Sequence, residues 1–281
     1  MISRKQYYIR TASLLLCLML FVTASVAACA GPPGPPPPEQ EYLEPPPPEI
    51  SGPQVYTPRP SFIAQIAEKY RRNSDTVGWL YVPNTSVNDV VVHYPHDENI
   101  FYLRRNFDRR HSMSGVYFAD FRNTFDGTAA GLSRNTVIYG HSLDLNDNPD
   151  APYFDQLKRF LNEEFARANP YIFFSVAGED LMWEIFAVYY ATDTLPYNIP
   201  DFTDDGFLAI LSEMKKRSEF IYDVEVGLDD RILTLSTCTY VFTPGVFPNK
   251  YRFAISARLV REGDALRHTA SLERNPAPKD P

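Results

Sequence analysis

Cysteine is scarce, and its few copies are unevenly placed. Only three occur in 281 residues, and two of them, Cys17 and Cys29, sit inside an apolar N-terminal run. Cys238 is therefore left without a partner in the rest of the chain, which excludes an intramolecular structural disulfide there. Positive charge is also in short supply. Lys+Arg 27 against Asp+Glu 35 gives a formal charge of −8 and an isoelectric point near 5.2. No basic field exists to hold a polyanion, so nucleic acid is excluded as a partner. No internal repeat is present, and His93 and His96 lack a cysteine or acidic set at ligand spacing, so neither a metal nor a cofactor is expected.

Proline, by contrast, is abundant and local. Thirteen of the twenty-five prolines fall between Pro32 and Pro60. Pro35–Pro38 and Pro45–Pro48 favour polyproline II at about 3.1 Å per residue, so residues 31–60 read as a spacer reaching up to roughly 90 Å. Ahead of it, Arg4, Lys5 and Arg10 flank Ala12–Ala30, an uncharged run of nineteen residues. As a helix that run spans roughly 28 Å, about the hydrocarbon thickness of a bilayer. The positive-inside rule keeps the cationic flank in the cytoplasm and everything after Ala30 outside. Residues 1–30 are compatible with an uncleaved signal-anchor. Because Val26-Ala27-Ala28-Cys29 resembles a lipobox, they are equally compatible with a lipoprotein signal that leaves a lipid on Cys29. Either tether places the body on the extracellular face of a cell membrane.

The globular body begins at Ser61. Ser61 is a plausible N-cap, and apolar residues at 62, 63, 66 and 67 predict an amphipathic helix over Ser61–Arg72. Eight short β-prone runs follow: Val77–Val82, Val90–His93, Gly115–Ala119, Thr136–Tyr139, Tyr171–Val176, Met182–Thr192, Arg231–Ser236 and Phe253–Val260. Separated by turn-rich segments, they predict a mainly β barrel or sandwich. Apolar spacings of three to four predict helices over Tyr153–Ala168 and Asp204–Arg217. From Glu262 to Pro281, charge, proline and absent periodicity predict a flexible tail.

Chemistry concentrates at strand ends. Cys238 closes the run Arg231-Ile232-Leu233-Thr234-Leu235-Ser236-Thr237-Cys238, where a thiol is held by a rigid element yet can reach solvent. Such a residue is either a buried apolar cysteine or a nucleophile. A nucleophilic thiol needs a basic or cationic partner, and His141, after Thr136-Val137-Ile138-Tyr139-Gly140, alone among five histidines mirrors its placement. His93, His96 and His111 are read as lying in polar, charged loops and His268 in the tail. Acyl transfer also needs a group to stabilise the oxyanion. Arg252, at the head of Phe253–Arg258, is either that group or an ordinary strand-flanking charge.

Three motifs in order decide between these readings. Thr234-Leu235-Ser236-Thr237-Cys238 resembles the TLxTC signature of sortases, Asn135 to His141 resembles their histidine motif, and Lys250-Tyr251-Arg252 matches their arginine position. The similarity runs from Val77 to Val260 and points to class B. Gly78-Trp79-Leu80, Leu103 to Phe107, Gly115 to Asn123 and a helix inserted before the cysteine strand all resemble that class.

The resemblance implies an eight-stranded β-barrel with an N-terminal helix and a peripheral helix, over residues 61–261. It also implies a membrane-tethered cysteine transpeptidase. Cys238 as thiolate attacks the carbonyl of a Thr–Gly-like bond in the C-terminal sorting signal of a secreted protein. Arg252 supports the oxyanion, and His141 protonates the leaving amine and later deprotonates the acceptor. The implied acceptor is an amine of a peptidoglycan precursor or, in a pilin-polymerising relative, a pilin lysine. The implied substrate contacts are Asn99, Leu103, Thr194, Ile199, Ser236 and Thr237. Thr239-Tyr240 departs from relatives that carry an acidic residue after the cysteine, so the signal preference is left open. A non-catalytic surface lipoprotein whose barrel binds a partner is the alternative outside enzymology. It requires no proximity between Cys238, His141 and Arg252.

Overall fold

A computed structural model describes residues 60–244 and 249–281. The expected anchor, the spacer up to Arg59 and the Cys29 lipidation site lie outside the described residues. Among the described residues no helix is long and apolar enough to cross a membrane.

In chain order the elements begin with helix α1 (Ile63–Arg72) and strands β1 (Thr76–Tyr81), β2 (Asn88–His93), β3 (Tyr117–Ala119) and β4 (Asn135–Tyr139). A 3-10 segment, Tyr153–Leu161, and helix α2 (Glu163–Ala168) lead to β5 (Tyr171–Val176) and β6 (Met182–Thr192). Helix α3 (Asp204–Arg217), β7 (Phe220–Tyr222), β8 (Ile232–Cys238), β9 (Tyr251–Leu259) and β10 (Leu272–Arg274) complete the fold. Eight strands close into a barrel in the order β1-β2-β3-β4-β8-β9-β6-β5, with β5 returning to β1. The pairs β2–β3 and β4–β8 are parallel and the rest antiparallel. All eight expected strands are barrel strands, and the mainly β architecture is the one anticipated.

Strand periodicity explains how one sheet serves two cores. Successive side chains point to opposite faces. In β5, Ile172, Phe174 and Val176 enter the main core, while Tyr171 and Phe173 join Phe62 and Ile66 at α1. Hence α1 covers what would otherwise be an exposed apolar face. Helix α3 is set by its ends as well as its stripe. Thr203 caps Gly206 N at 3.2 Å, Asp204 and Asp205 occupy the first turn, and Lys215, Lys216 and Arg217 the last, complementing the helix dipole. Phe207, Ile210, Leu211 and Met214 are buried beneath it, each contributing about 2 kcal/mol by removal from water.

Four expectations need correction. Ser61 does not cap α1. Phe62 holds that position with no side-chain cap, and its N–H is taken instead by Asp180 Oδ1 at 2.9 Å. The single helix read over Tyr153–Ala168 is two, because Asn162 adopts an extended backbone and its side chain accepts from Phe165 N at 2.9 Å, restarting the chain as α2. The segment expected to fray from Glu262 onward contains β10, paired antiparallel with β7, and Asn275 N donates to Glu219 O at 3.0 Å. Two three-residue strands carry too little periodicity to stand out along the chain. Finally, His93 is not a loop residue. It ends β2 half-buried, with Nε2 3.2 Å from the Phe121 carbonyl.

The deepest packing next to the strand ends is at Phe154. It is fully buried and stacks on Tyr117 with centroids 4.8 Å apart. It also lies so close to Gly140 that a Cβ there would approach its ring to 2.6 Å. Phe154→Ala is expected to lower unfolding free energy by about 3–5 kcal/mol, read as a shift in the urea midpoint with an unchanged slope.

Candidate active site

Two ladders bring the three strand-end residues together. In the parallel pair β4–β8, Tyr139 faces Ser236, and Gly140 N donates to the Ser236 carbonyl at 3.2 Å. Cys238 lies two residues beyond Ser236 on β8 and so shares its face, and His141 follows the end of β4 by two residues. On the other side, β8 and β9 are antiparallel with Cys238 directly opposite Arg252. Cys238 thus ends the middle strand of three, with Arg252 opposite it on β9 and His141 just beyond the end of β4 on the other side. The thiol is free and half-buried.

Each flanking group is oriented by backbone carbonyls. His141 Nε2 lies 2.6 Å from the Leu103 carbonyl. A carbonyl only accepts, so Nε2 carries the proton and Nδ1 keeps the lone pair. Burial pushes the His141 pKa below its ordinary 6.5; the Leu103 hydrogen bond opposes this, and the nearby Arg104 charge adds to it. The imidazole is therefore held toward its neutral form. Its ring rests on Gly115, whose φ is +63° and where an added Cβ would come within 2.9 Å of His141 Cδ2. Arg252 Nη1 donates to Asn249 O at 2.7 Å and Tyr251 O at 2.9 Å, which aims the fork. Asn249 in turn takes Tyr251 N at 2.8 Å and donates to the Thr239 carbonyl, tying the start of β9 to the residue after the cysteine.

The expected substrate contacts occupy varied environments. Asn99, in the left-handed region at φ 70°, uses its side chain to donate to Asp120 at 2.9 Å and to accept from Phe121 N at 2.7 Å. Ser236 Oγ is hydrogen-bonded to Tyr197 OH at 2.9 Å, and Thr194 Oγ1 lies 2.8 Å from Thr192 Oγ1. Ile199 contributes its carbonyl to Asn135, and Thr237 is buried with its hydroxyl unpartnered. Leu103 differs: its carbonyl holds the imidazole while its side chain is 39% exposed beside it.

Several residues that organise the site were not singled out from sequence. Asp120 is fully buried and accepts from Asn99, from Tyr139 OH at 2.8 Å and from Arg122 at 2.8 and 3.0 Å. Although burial works against the anion, these bonds, Arg122 foremost, hold its carboxyl below the usual range. Asn135, the first residue of the histidine motif, donates to the Tyr197 and Ile199 carbonyls at 2.9 and 3.0 Å and accepts from Thr234 Oγ1 at 2.9 Å. It pins the segment before α3 to the barrel. Its place inside the motif was the available signal. Tyr197 is buried against Ser236, and its titration is raised by burial, lowered by Arg252 and raised by Cys238, placing it within the electrostatic reach of both.

A half-buried thiol at a strand end, with an oriented guanidinium opposite it and an oriented imidazole past the end of the adjoining strand, is the kind of residue set that cysteine-based acyl transfer uses. No protein-family model matches the chain. It is 32% identical over 177 residues to sortase B of Listeria monocytogenes, covering 62% of this chain and 67% of that protein. To sortase B of Staphylococcus aureus it is 34% identical over 167 residues, covering 59% and 64%. The aligned segments thus span about two thirds of these relatives' length. Among solved structures, the S. aureus sortase B–substrate complex superposes with a TM-score of 0.60 at 30% identity, covering 71% of this chain and 86% of that one. Clostridium perfringens sortase B gives 0.59 at 31%, covering 69% and 99%. A sortase B complexed with triglycine gives 0.60 at 29%, covering 72% and 88%. The chain belongs to the sortase B family and is a cysteine transpeptidase.

Two outcomes follow from the imidazole's setting. The His141 ring resonances should titrate with a midpoint below 6.5 in an NMR pH series. His93 is likewise held low by burial. Each group, with its folded pKa depressed, contributes stability that is complete above the unfolded value near 6.5 and is lost as pH falls through the folded pKa. The urea midpoint should therefore begin to fall below about pH 6.5, and His93→Gln with His141→Gln should flatten that limb. Separately, Gly115→Ala should cost about 1 kcal/mol or more from its positive φ and lower kcat by displacing the ring, a loss measured as turnover of a sorting-signal peptide.

Proposed function

We propose that the protein is a membrane-tethered extracellular sortase that cleaves a C-terminal sorting signal in secreted proteins and joins them to an amine of the cell wall. The observation that carries this reading is the register that sets Cys238 opposite Arg252 on β9, beside the β4 end that leads into His141. The N-terminal apolar run and proline-rich spacer support the tether, and the sortase B complexes with substrate and with triglycine support a peptide donor and an amine acceptor.

The chemistry starts from a neutral thiol–imidazole pair. As Cys238 Sγ attacks the scissile carbonyl carbon, its proton passes to Nδ1 of the neutral imidazole. The carbonyl electrons move onto oxygen, where the Arg252 guanidinium offsets the developing charge. Collapse of this intermediate breaks the C–N bond, and the imidazolium returns the proton to the departing amine. A thioester on Cys238 remains. An incoming amine attacks it while giving a proton to His141, and the second collapse forms the new amide and expels the thiolate, which His141 reprotonates. Atoms and protons balance without a metal or cofactor. Leu103, half-exposed beside the imidazole, supplies apolar contact for the signal side chains.

The full chain, incubated with quenched fluorogenic sorting-signal peptides and either triglycine or a lysine-containing peptide, tests this reading. Cleavage should be accompanied by a new amide and, at low acceptor, by a mass adduct on Cys238. Cys238→Ala should reduce turnover by roughly 10³-fold or more, and Arg252→Ala by about 10²-fold or more. Cleavage that survives Cys238→Ala would overturn the assignment. Preference for the lysine ε-amine over triglycine would redirect it to pilin polymerisation. Mass spectrometry of the native N-terminus separates lipidated Cys29 from an intact signal-anchor.

A further inference from the structure

Lys158 is a lysine almost removed from water. Its side chain is 3% exposed and lies between two carboxylates, Asp155 at 3.0 Å and Asp147. A buried ammonium persists only when it is paired and hydrogen-bonded, so its partners fix its place and it fixes theirs. Those partners belong to different parts of the site. Asp155, fully buried, accepts from the Leu143 and Asp144 N–H groups at 2.7 and 3.2 Å and from the Ser142 hydroxyl at 2.5 Å. Lys158 itself donates to Ser142 Oγ at 2.8 Å. Residues 142–144 directly follow His141. Asp147 uses Oδ1 for Lys158 and Oδ2 for Tyr240 N at 2.6 Å and the Thr239 hydroxyl at 2.9 Å. Residues 239 and 240 directly follow Cys238.

A continuous chain of charge-assisted bonds therefore runs from the loop after His141, through Asp155, Lys158 and Asp147, to the loop after Cys238. The β4–β8 ladder reaches only to Gly140 N and the Ser236 carbonyl, so the bridge begins where the sheet hydrogen bonds stop. We propose that Lys158 is a positioning residue that sets the separation of the thiol and the imidazole through these two carboxylates. The proposal rests on Cys238 and His141 being the working pair. Without the cation, Asp147 and Asp155 face each other as like charges and each keeps its hold on its own loop, so the loops are driven apart.

The test compares Lys158→Met, Asp147→Asn and His141→Ala in the full chain. Asp147→Asn keeps an oxygen for Tyr240 N and remains informative should Lys158→Met fail to fold, which circular dichroism reports. The rate of Cys238 alkylation by iodoacetamide is followed against pH, alongside kcat and KM for peptide cleavage. In the wild type the imidazole shapes the thiol's profile, so His141→Ala should shift it. Both network variants should move the profile toward that of His141→Ala, and lower kcat at least tenfold with KM within twofold. An alkylation profile in Asp147→Asn that coincides with the wild type overturns the proposal, as does a wild-type profile that His141→Ala leaves unchanged. Failure of the wild type to cleave any peptide counts against the transpeptidase substrate reading instead, and the alkylation comparison still decides the role of Lys158.

Discussion

Everything at the reactive end of this molecule depends on the parallel pairing of β4 with β8 in one register. Because side-chain direction alternates along a strand, a slip by a single residue would send either His141 or Cys238 to the opposite face. The register is held from both sides. Within the ladder, apolar residues such as Val137, Ile138, Leu233 and Leu235 are fully buried, so a slip would trade buried methyls for polar groups. At its base, Asn135 and Thr234 share a buried hydrogen bond that no neighbouring register reproduces.

From this constraint follows a division of labour between side chains and backbone. The imidazole and the guanidinium are aimed by carbonyl oxygens of Leu103, Asn249 and Tyr251 rather than by carboxylates. A carbonyl orients a donor without adding a full negative charge. Burial holds the imidazole pKa low while the Leu103 carbonyl only partly opposes it. A carboxylate at either position would have stabilised the imidazolium or partly neutralised the arginine.

How much of this was legible along the chain follows from the range of the interactions. Barrel strands such as Tyr171–Val176 and Ile232–Cys238 declare themselves through β-branched and aromatic runs, and α3 through its stripe and its Thr203 cap. The positions of Cys238 and Arg252 at strand ends and of His141 just past β4 were legible because each lies within a recognisable motif. The chain could not disclose which charges are interior. Asp120 follows a three-residue strand, and Asp155 and Lys158 fall within a segment read as an amphipathic helix, where charges belong to the solvated face. Their burial arises only when distant loops fold over them. The break at Asn162 was similarly hidden, since the apolar spacing on both sides suits one helix and a single side-chain cap divides it. Leu272–Arg274 gains its strand character from Phe220–Tyr222, not from its own polar composition.

The parallel ladder also has a kinetic consequence. Its partners, from Asn135 with Ile232 to Tyr139 with Ser236, are separated by about a hundred residues, and two non-local strands meeting side by side carry a large loop-closure cost before any contact offsets it. The segment between them contains β5, β6 and α3, and β6 in turn pairs with β9, which follows β8 in the chain. Reactivity is thus acquired at a late stage of maturation. A newly made chain holds Cys238 and His141 about a hundred residues apart, and only closure of the barrel brings them to the ends of neighbouring strands.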